Sequence, residues 1–436
     1  MIENRQFRIP RPRPERDGSI CEAIERVLGA YALRWYVTEA GAEEWVVEAT
    51  LVDGCRASAG SREERAFHPG KSVVLSIVPT GVGCSIGGYA GDAAPVTSLL
   101  AATADYLITN PNAVNASDFI GLADNVLYTE GLCIDLLCKG LTDLYLPRAN
   151  RVGLVVEQAA GERLDTVFNV VNAVRAVHGV DIDCEVTVAP AGSRCVKNRS
   201  GAFTGTVDRP EVILDAAEIL LARGANAIAV TTDIQDLPEE DYRRHFDGRC
   251  PNPMGGVEAV ISHLVVDRLR VPAAHAPMIN ARHPGLLDPV VDARSAGEIT
   301  SASGLACVLV GLRRAPQLRR APGCRLVDVV NVHNLVAVVA PASGLGGIPV
   351  LCAVDQGIPV IAVAENETIL RAGKVETGFA GVLEAHSYAE AAGLVLALRH
   401  GIAPASLVRP LETLRPERRE IRGARSAVEE PLRLAG

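Results

Sequence analysis

Residues 72–92 read SVVLSIVPTGVGCSIGGYAGD. An apolar run of strand length ends in Pro79 and passes into a loop with glycines at 81, 83, 87, 88 and 91. A helical stretch over about 93–104 and a second apolar run, DYLITNP (105–111), follow. Strand, glycine loop, helix, strand is the signature of a parallel crossover unit. Asp92 is expected to cap the helix, and Pro95 is tolerated in its first turn.

The same plan recurs on both sides. Near the C-terminus, LVAVVAP (335–341) leads through ASGLGG into IPVLCAVDQG and the run IPVIAVAEN (358–366). AGVLEAHS, the helical YAEAAGLVLALRHG and a charged tail from 411 come after it. In the middle, RVGLVVEQ begins at 151, with FNVVNAVRAVHG as helix and DCEVTVAP as strand. Residues 191–208 read as a polar loop with Asp208 capping RPEVILDAAEILLARG, and NAIAVTTDI (226–234) as the next strand. Before residue 71, 1–17 read as a proline-rich arm, 19–28 as a helix started by Ser19 with Glu22 at capping-box spacing, and 33–37 and 45–52 as two strands turning at Gly41. The expected fold is therefore α/β: several units of mostly parallel sheet with flanking helices, Rossmann-like and three-layered, plus a small N-terminal α+β element. The expected boundaries are 1–70, 71–150, 151–250, 251–410 and a tail, 411–436.

Composition agrees. The 436 residues are 48% hydrophobic but only 4% aromatic, which suits buried strands between small-residue helices. A net charge of -9 argues against nucleic acid as a partner, because phosphate neutralisation needs a basic face. The longest apolar runs (335–341, 358–364) fall far short of a membrane span, and MIENRQFRIPRPRPERDG contains no apolar signal core, so a cytoplasmic location away from membranes is expected. Eleven cysteines without a CxxC pair read as reduced thiols; no metal site is expected and no cofactor is required. Assembly with further copies of the chain stays open.

Backbone amides in glycine loops at strand ends can cradle a phosphate or carboxylate. On that basis Thr80, Gly81, Gly83, Ser85, Gly87, Gly88 and Asp92 in the first loop are candidate ligand-binding residues, as are Ser343, Gly344, Gly346 and Gly347 in the second. The bland alternative is that these glycines only make tight turns. GVGCSIG invites a dinucleotide reading, but the next strand ends in Asn110-Pro111-Asn112 where an acidic residue is wanted, and neither loop holds a P-loop lysine. Asn112 and Asn115 are candidates to orient a polar ligand, or else serve the turn around Pro111. Cys84 reads as a small loop residue.

For acid/base work the candidates are His275, placed at a strand end, together with Glu365 and Glu130. Glu258 and His263 stand about 140° apart on a straight helix over 256–269, so His263 reads as a core histidine. CVLVGL (307–312) reads as a strand delivering Arg313 and Arg314 as an anion clamp, with a solvated surface pair as the alternative.

PTGVGCSIGGYAGD, ITNPNAVN, NVLYTEG, GGVEAVISHLVV, CVLVGLRRAPQ and VAENET, in this order, resemble a family of unknown function numbered 3326, seen mainly in cyanobacteria and plastid-bearing organisms. The resemblance spans about residues 70–405 and implies kinship; it brings no activity and no catalytic residues. The middle stretch is also similar to a lobe of the aspartate/glutamate racemase fold, which works with paired cysteines at strand ends. Here that strand ends in Thr231, Thr232 and Asp233. The expected function is acid/base chemistry, of isomerisation or elimination type, on a small carboxylate- or phosphate-bearing metabolite. A non-catalytic ligand-binding or regulatory protein and a nucleotide-dependent oxidoreductase or transferase are the alternatives.

Overall fold

In the computed structural model, residues 1–13, 18–29, 31–54, 68, 70–116, 119–120, 122–159, 161–235, 239–278, 290–299, 304–320 and 325–415 are described. The N-terminus, expected as an arm, is a strand. β1 (Ile2–Pro10) pairs antiparallel with β3 (Glu44–Val52), which pairs antiparallel with β2 (Ala32–Ala40). Ile2 and Ile9 are buried in the core beneath this sheet, and Pro10 ends an edge strand, where its missing N–H is tolerated. Residues 14–17 of the expected arm lie outside the described residues. Helix α1 (Ile20–Leu28) starts as expected, with the Ser19 hydroxyl accepting from Glu22 N.

Two parallel sheets form the body. In the larger, β4 (Val73–Ser76), β5 (Tyr106–Thr109) and β6 (Val126–Tyr128) step outward to one side. The smaller contains β7 (Val152–Val156), β8 (Ile182–Val186), β11 (Ala227–Thr232) and β12 (Ala273–Pro277), ordered β8-β7-β11-β12. Between β8 and β11 in the chain, residues expected as a loop make a hairpin, β9 (Ser193–Lys197) with β10 (Phe203–Val207). Asp208 does not cap the next helix: Arg209 holds the cap position and Asp208 pairs with Arg194 at 2.5 Å.

The larger sheet is completed from the far end of the chain. β13 (Leu335–Pro341) lies beside β4, and β14 (Val360–Val363) and β15 (Leu383–Ala385) continue on the side away from β5. Strand pairing thus crosses the expected boundaries: 71–150 and the end of 251–410 build one sheet, and β12 joins the middle one. All residues of β4, β7, β11 and β14 are buried, as continuous apolar strands covered on both faces must be. Each fully buried Val or Leu contributes ~1.5–3 kcal/mol.

Helices α2 (Ala94–Ala101) and α10 (Tyr388–Arg399) cover one face of the larger sheet, and α3 (Gly131–Cys138) and α9 (Ile348–Gln356) the other. Over the smaller sheet, α4 (Gly161–His178) and α8 (Leu305–Leu312) pack on one face, and α5 (Pro210–Ala222) and α7 (Gly255–Leu269) on the other, with α6 (Glu239–Phe246) preceding α7 in the chain. The segment that becomes α8 was expected as a strand. A short apolar run such as LACVLVGL has no periodicity to separate buried strand from buried helix.

Helix α7 is the pivot. It touches the β9–β10 hairpin, β2, β12, α3 and α5, and eleven of its residues are buried. Its double glycine makes this possible, since a Cβ on Gly256 would stand 2.2 Å from the Phe203 carbonyl oxygen. Of the tail from 411, residues 411–415 are exposed and 416–436 lie outside the described residues.

Candidate functional site

Strand order reverses between β4 and β13, and beyond their C-terminal ends open α/β sheets form a crevice. The crevice here is a cavity of about 640 Å³ closed on its other side by the smaller sheet. Thr80, Asn110, Asn112 and Asn115 line it from the larger sheet, with Gly344 and Gly347 from the second glycine loop. Asp233 and residues Ala274–Met278 line it from the smaller sheet. Helix α7 runs along the wall, contributing Glu258, Ser262 and His263.

Glu258 and His263 are each backed by a buried partner, in opposite sense. His275 Nδ1 lies 3.4 Å from Glu258 Oε1, and its Nε2 lies 2.9 Å from Thr232 Oγ1. The His275 side chain is 0% exposed against 22% for Glu258, so the carboxylate meets the cavity and the imidazole sits behind it. In the second pair the imidazole of His263 is 10% exposed and the carboxylate of Glu130 2%. Glu130 Oε1 contacts His263 Nδ1 and accepts from Ser262 Oγ at 3.1 Å, while its Oε2 caps α3 by accepting from Leu132 N at 2.7 Å. The imidazole can come this close because residue 131 is glycine; a Cβ there would stand 2.8 Å from His263 Cε1. A third pair, His245 with Glu298 at 3.0 Å, has both ring nitrogens engaged, the second by the Cys250 carbonyl. Burial pushes the carboxyl of Asp135, another lining residue, up to about 6.

The glycine loops differ from expectation. In the first, the amides of Gly87 and Tyr89 donate to Asp92, which therefore braces the loop and does not cap α2. Burial pushes the Asp92 carboxyl up to about 6. Ser85 N donates to Glu367 O, Ile86 N to Asn366, Ala90 N to Glu298 and Gly91 N to Asn112 O. With these amides spent inside the protein, the 85–91 part of the loop does not offer them to an anion. Its glycines permit close packing: a Cβ would meet Phe203 O from Gly81 at 2.3 Å, Val78 from Gly87 at 2.3 Å and Cys84 O from Gly88 at 2.3 Å, and Pro251 from Gly83 at 3.2 Å. Gly346 is likewise packed against Val37, and Ser343 is bonded to Thr368.

Three further expectations are corrected. Arg313 and Arg314 follow the C-terminal end of α8, where Arg313 donates to His178 O and Arg314 pairs with the exposed Asp124. They lie away from the cavity because the run before them is a helix. Glu365 is exposed and accepts from Tyr388 N at the start of α10, so it too stands apart. His275 belongs to the cavity wall, but its side chain is buried behind Glu258 and does not face the cavity. Sequence reasoning missed His263 as a cavity group, since Glu130 meets it only through tertiary packing. It also missed Arg34, Trp35 and Tyr36, which line the cavity from β2, and Arg163, whose guanidinium is held by Asp233 through two 2.7 Å bonds. The nine described cysteines are free thiols, and burial pushes the Cys84 thiol up, which disfavours the thiolate a nucleophile needs.

Residues 72–408 match the model of a family described as a protein of unknown function (DUF3326). A similar curated protein is the uncharacterized lipoprotein syc1174_c of Synechococcus sp., 39% identical over 337 residues that cover 76% of this chain and 92% of the relative. No solved structure matches.

Proposed function

We propose that this chain, which belongs to the DUF3326 family of proteins of unknown function, is an enzyme moving protons on a small oxyanion-bearing metabolite. The reaction is of isomerisation or elimination type. One observation carries the reading: helix α7 offers to a single cavity one carboxylate, Glu258, and one imidazole, His263, each held by a buried partner. Their Cα atoms are separated by about 7.5 Å along the helix axis, from the rise per residue, which leaves room for a substrate carbon skeleton.

In this mechanism Glu258 takes a proton from a carbon beside the oxyanion-bearing group, with His275 and Thr232 fixing the carboxylate's orientation. His263, as an imidazolium beside the Glu130 carboxylate, delivers a proton from Nε2 to the developing charge or the leaving group and is left neutral. Returning the proton to a neighbouring carbon completes an isomerisation; loss of the leaving group completes an elimination.

The test is incubation of the protein in deuterated water with an extract of small metabolites, followed by mass spectrometry. A metabolite that gains solvent deuterium or changes mass with the wild type, but not with Glu258→Gln, is the expected result. An extract left unlabelled and unchanged would sink the reading. We also propose a cytoplasmic location, supported by eleven cysteines scattered without a CxxC pair, a pattern that reads as reduced thiols. The lipoprotein label of the relative would tie the chain to a membrane instead, and cell fractionation separates the two.

A further inference from the structure

The cavity's charges are unevenly matched. Of its carboxylates, Glu130 contacts His263, Asp233 is held by Arg163, Glu258 by His275 and Glu298 by His245, and Asp135 lies in the field of Lys139 and His263. Arg34 is different. Its guanidinium reaches two backbone carbonyls, Gly256 O and Thr80 O, each at 3.4 Å, and lies 5.6 Å from the Tyr36 ring. Among the described residues no carboxylate pairs with it. A guanidinium presents five donors in a planar fork, and two long bonds to neutral acceptors leave that fork open to a planar anion.

Arg34 also stands in the right place. One carbonyl partner, Gly256, is at the start of α7, two residues before Glu258, and the other, Thr80, is in the loop that follows β4. The strand carrying it is fixed to the body: Val37 N donates to Gly346 O at 3.0 Å, Ala40 N to Arg371 O at 2.9 Å and Arg371 N to Thr38 O at 2.8 Å. Gly346 admits this contact because a Cβ there would stand 2.5 Å from Val37 Cβ. Arg34 lies outside residues 72–408, the stretch that defines the family match.

We infer that Arg34 is the residue that selects the substrate, by holding its oxyanion, a carboxylate or a phosphate, at the α7 start of the cavity. The inference rests on the acid/base reading for its meaning but is testable apart from it. The N-terminal element is then a specificity module laid over a cavity whose proton-handling groups all come from the family-matched part.

Isothermal titration of the full chain with inorganic phosphate and, separately, with acetate tests this, with chloride at matched ionic strength as the reference. The expected result is saturable binding of at least one of the two anions, weakened tenfold or more in Arg34→Met. Arg34→Lys should fall between them, because an ammonium keeps the charge and loses the fork. The anion that binds tells carboxylate from phosphate. Binding that is equal in wild type and Arg34→Met, or no binding of either anion to the wild type, overturns the inference. Unchanged melting temperatures in both variants guard against a folding defect, and Arg34→Lys serves alone if the Met variant fails to fold. If anion binding depends on Arg34 while the wild type labels no metabolite in deuterated water, the acid/base reading falls and the anchor stands.

Discussion

Helix α7 supplies the exposed member of two histidine–carboxylate pairs, and the two are assembled in reverse order. At Glu258 the carboxylate faces the cavity and His275 stands behind it; at His263 the imidazole faces the cavity and Glu130 stands behind it. In the proposed mechanism the same two residue types would do different work according to which one the fold leaves uncovered. A cavity-facing carboxylate backed by a histidine is placed to accept a proton. A cavity-facing imidazole with Nδ1 against a carboxylate leaves Nε2 for the substrate, and gives a proton from it when in the imidazolium form.

The strongest way to break this comparison is to remove the exposed members. Glu258→Gln and His263→Asn should each lower deuterium incorporation into the identified metabolite by about 10² to 10⁴, the usual contribution of a proton-transferring group, with the fold kept. If only one of the two variants loses activity, the paired scheme is wrong.

A smaller effect is expected from the buried members, which act through their partners. His275→Asn and Glu130→Gln should each cost roughly tenfold, below the range for direct proton transfer, and should displace the pH profile of incorporation. Losses as large as those of Glu258→Gln and His263→Asn would mean that the order of each pair has been misassigned.

The smallest effect sharpens the electrostatics of the His263 side. Burial raises the Asp135 carboxyl to about 6, above its unfolded value. A group shifted upward adds stability below its unfolded pKa, near 4, and loses that contribution as pH rises through about 6. Asp135→Asn should therefore gain on the order of 1–3 kcal/mol relative to wild type between pH 4 and pH 7.5. Melting temperatures of both proteins across that range measure it, and parallel curves would contradict it.

The elements with strong local signals were legible in the sequence. Runs such as VVLS and VIAV are apolar enough to demand burial on both faces, and Ser19 marks its helix start through its own side chain. The exceptions were of two kinds. LACVLVGL is too short and too uniformly apolar to reveal its period, and misreading it misplaced Arg313 and Arg314. The first glycine loop was found correctly but misread, because glycines that let Phe203 O and Val78 approach leave the same pattern as glycines that admit a ligand. For the site, Thr80, Asn112, Asn115, Glu130, Gly344, Gly347 and His275 were named and do meet at one cavity or its wall. His263 and Arg34 could not be singled out, since what makes them special is Glu130 and Gly256, residues distant in the chain.

The larger sheet also has a bearing on how the protein is made. β4 emerges from the ribosome long before its neighbour β13, because Val73 pairs with Leu335 and Ser76 with Val339. The smaller sheet, by contrast, is encoded without interruption between β7 and β12 and can close while synthesis continues. The nascent chain must therefore carry β4, β5 and β6 with an unpaired apolar edge until the last quarter of the sequence arrives. Premature termination before residue 335 should accordingly yield aggregating product, not a smaller folded one, and the cavity can form only when synthesis is nearly finished.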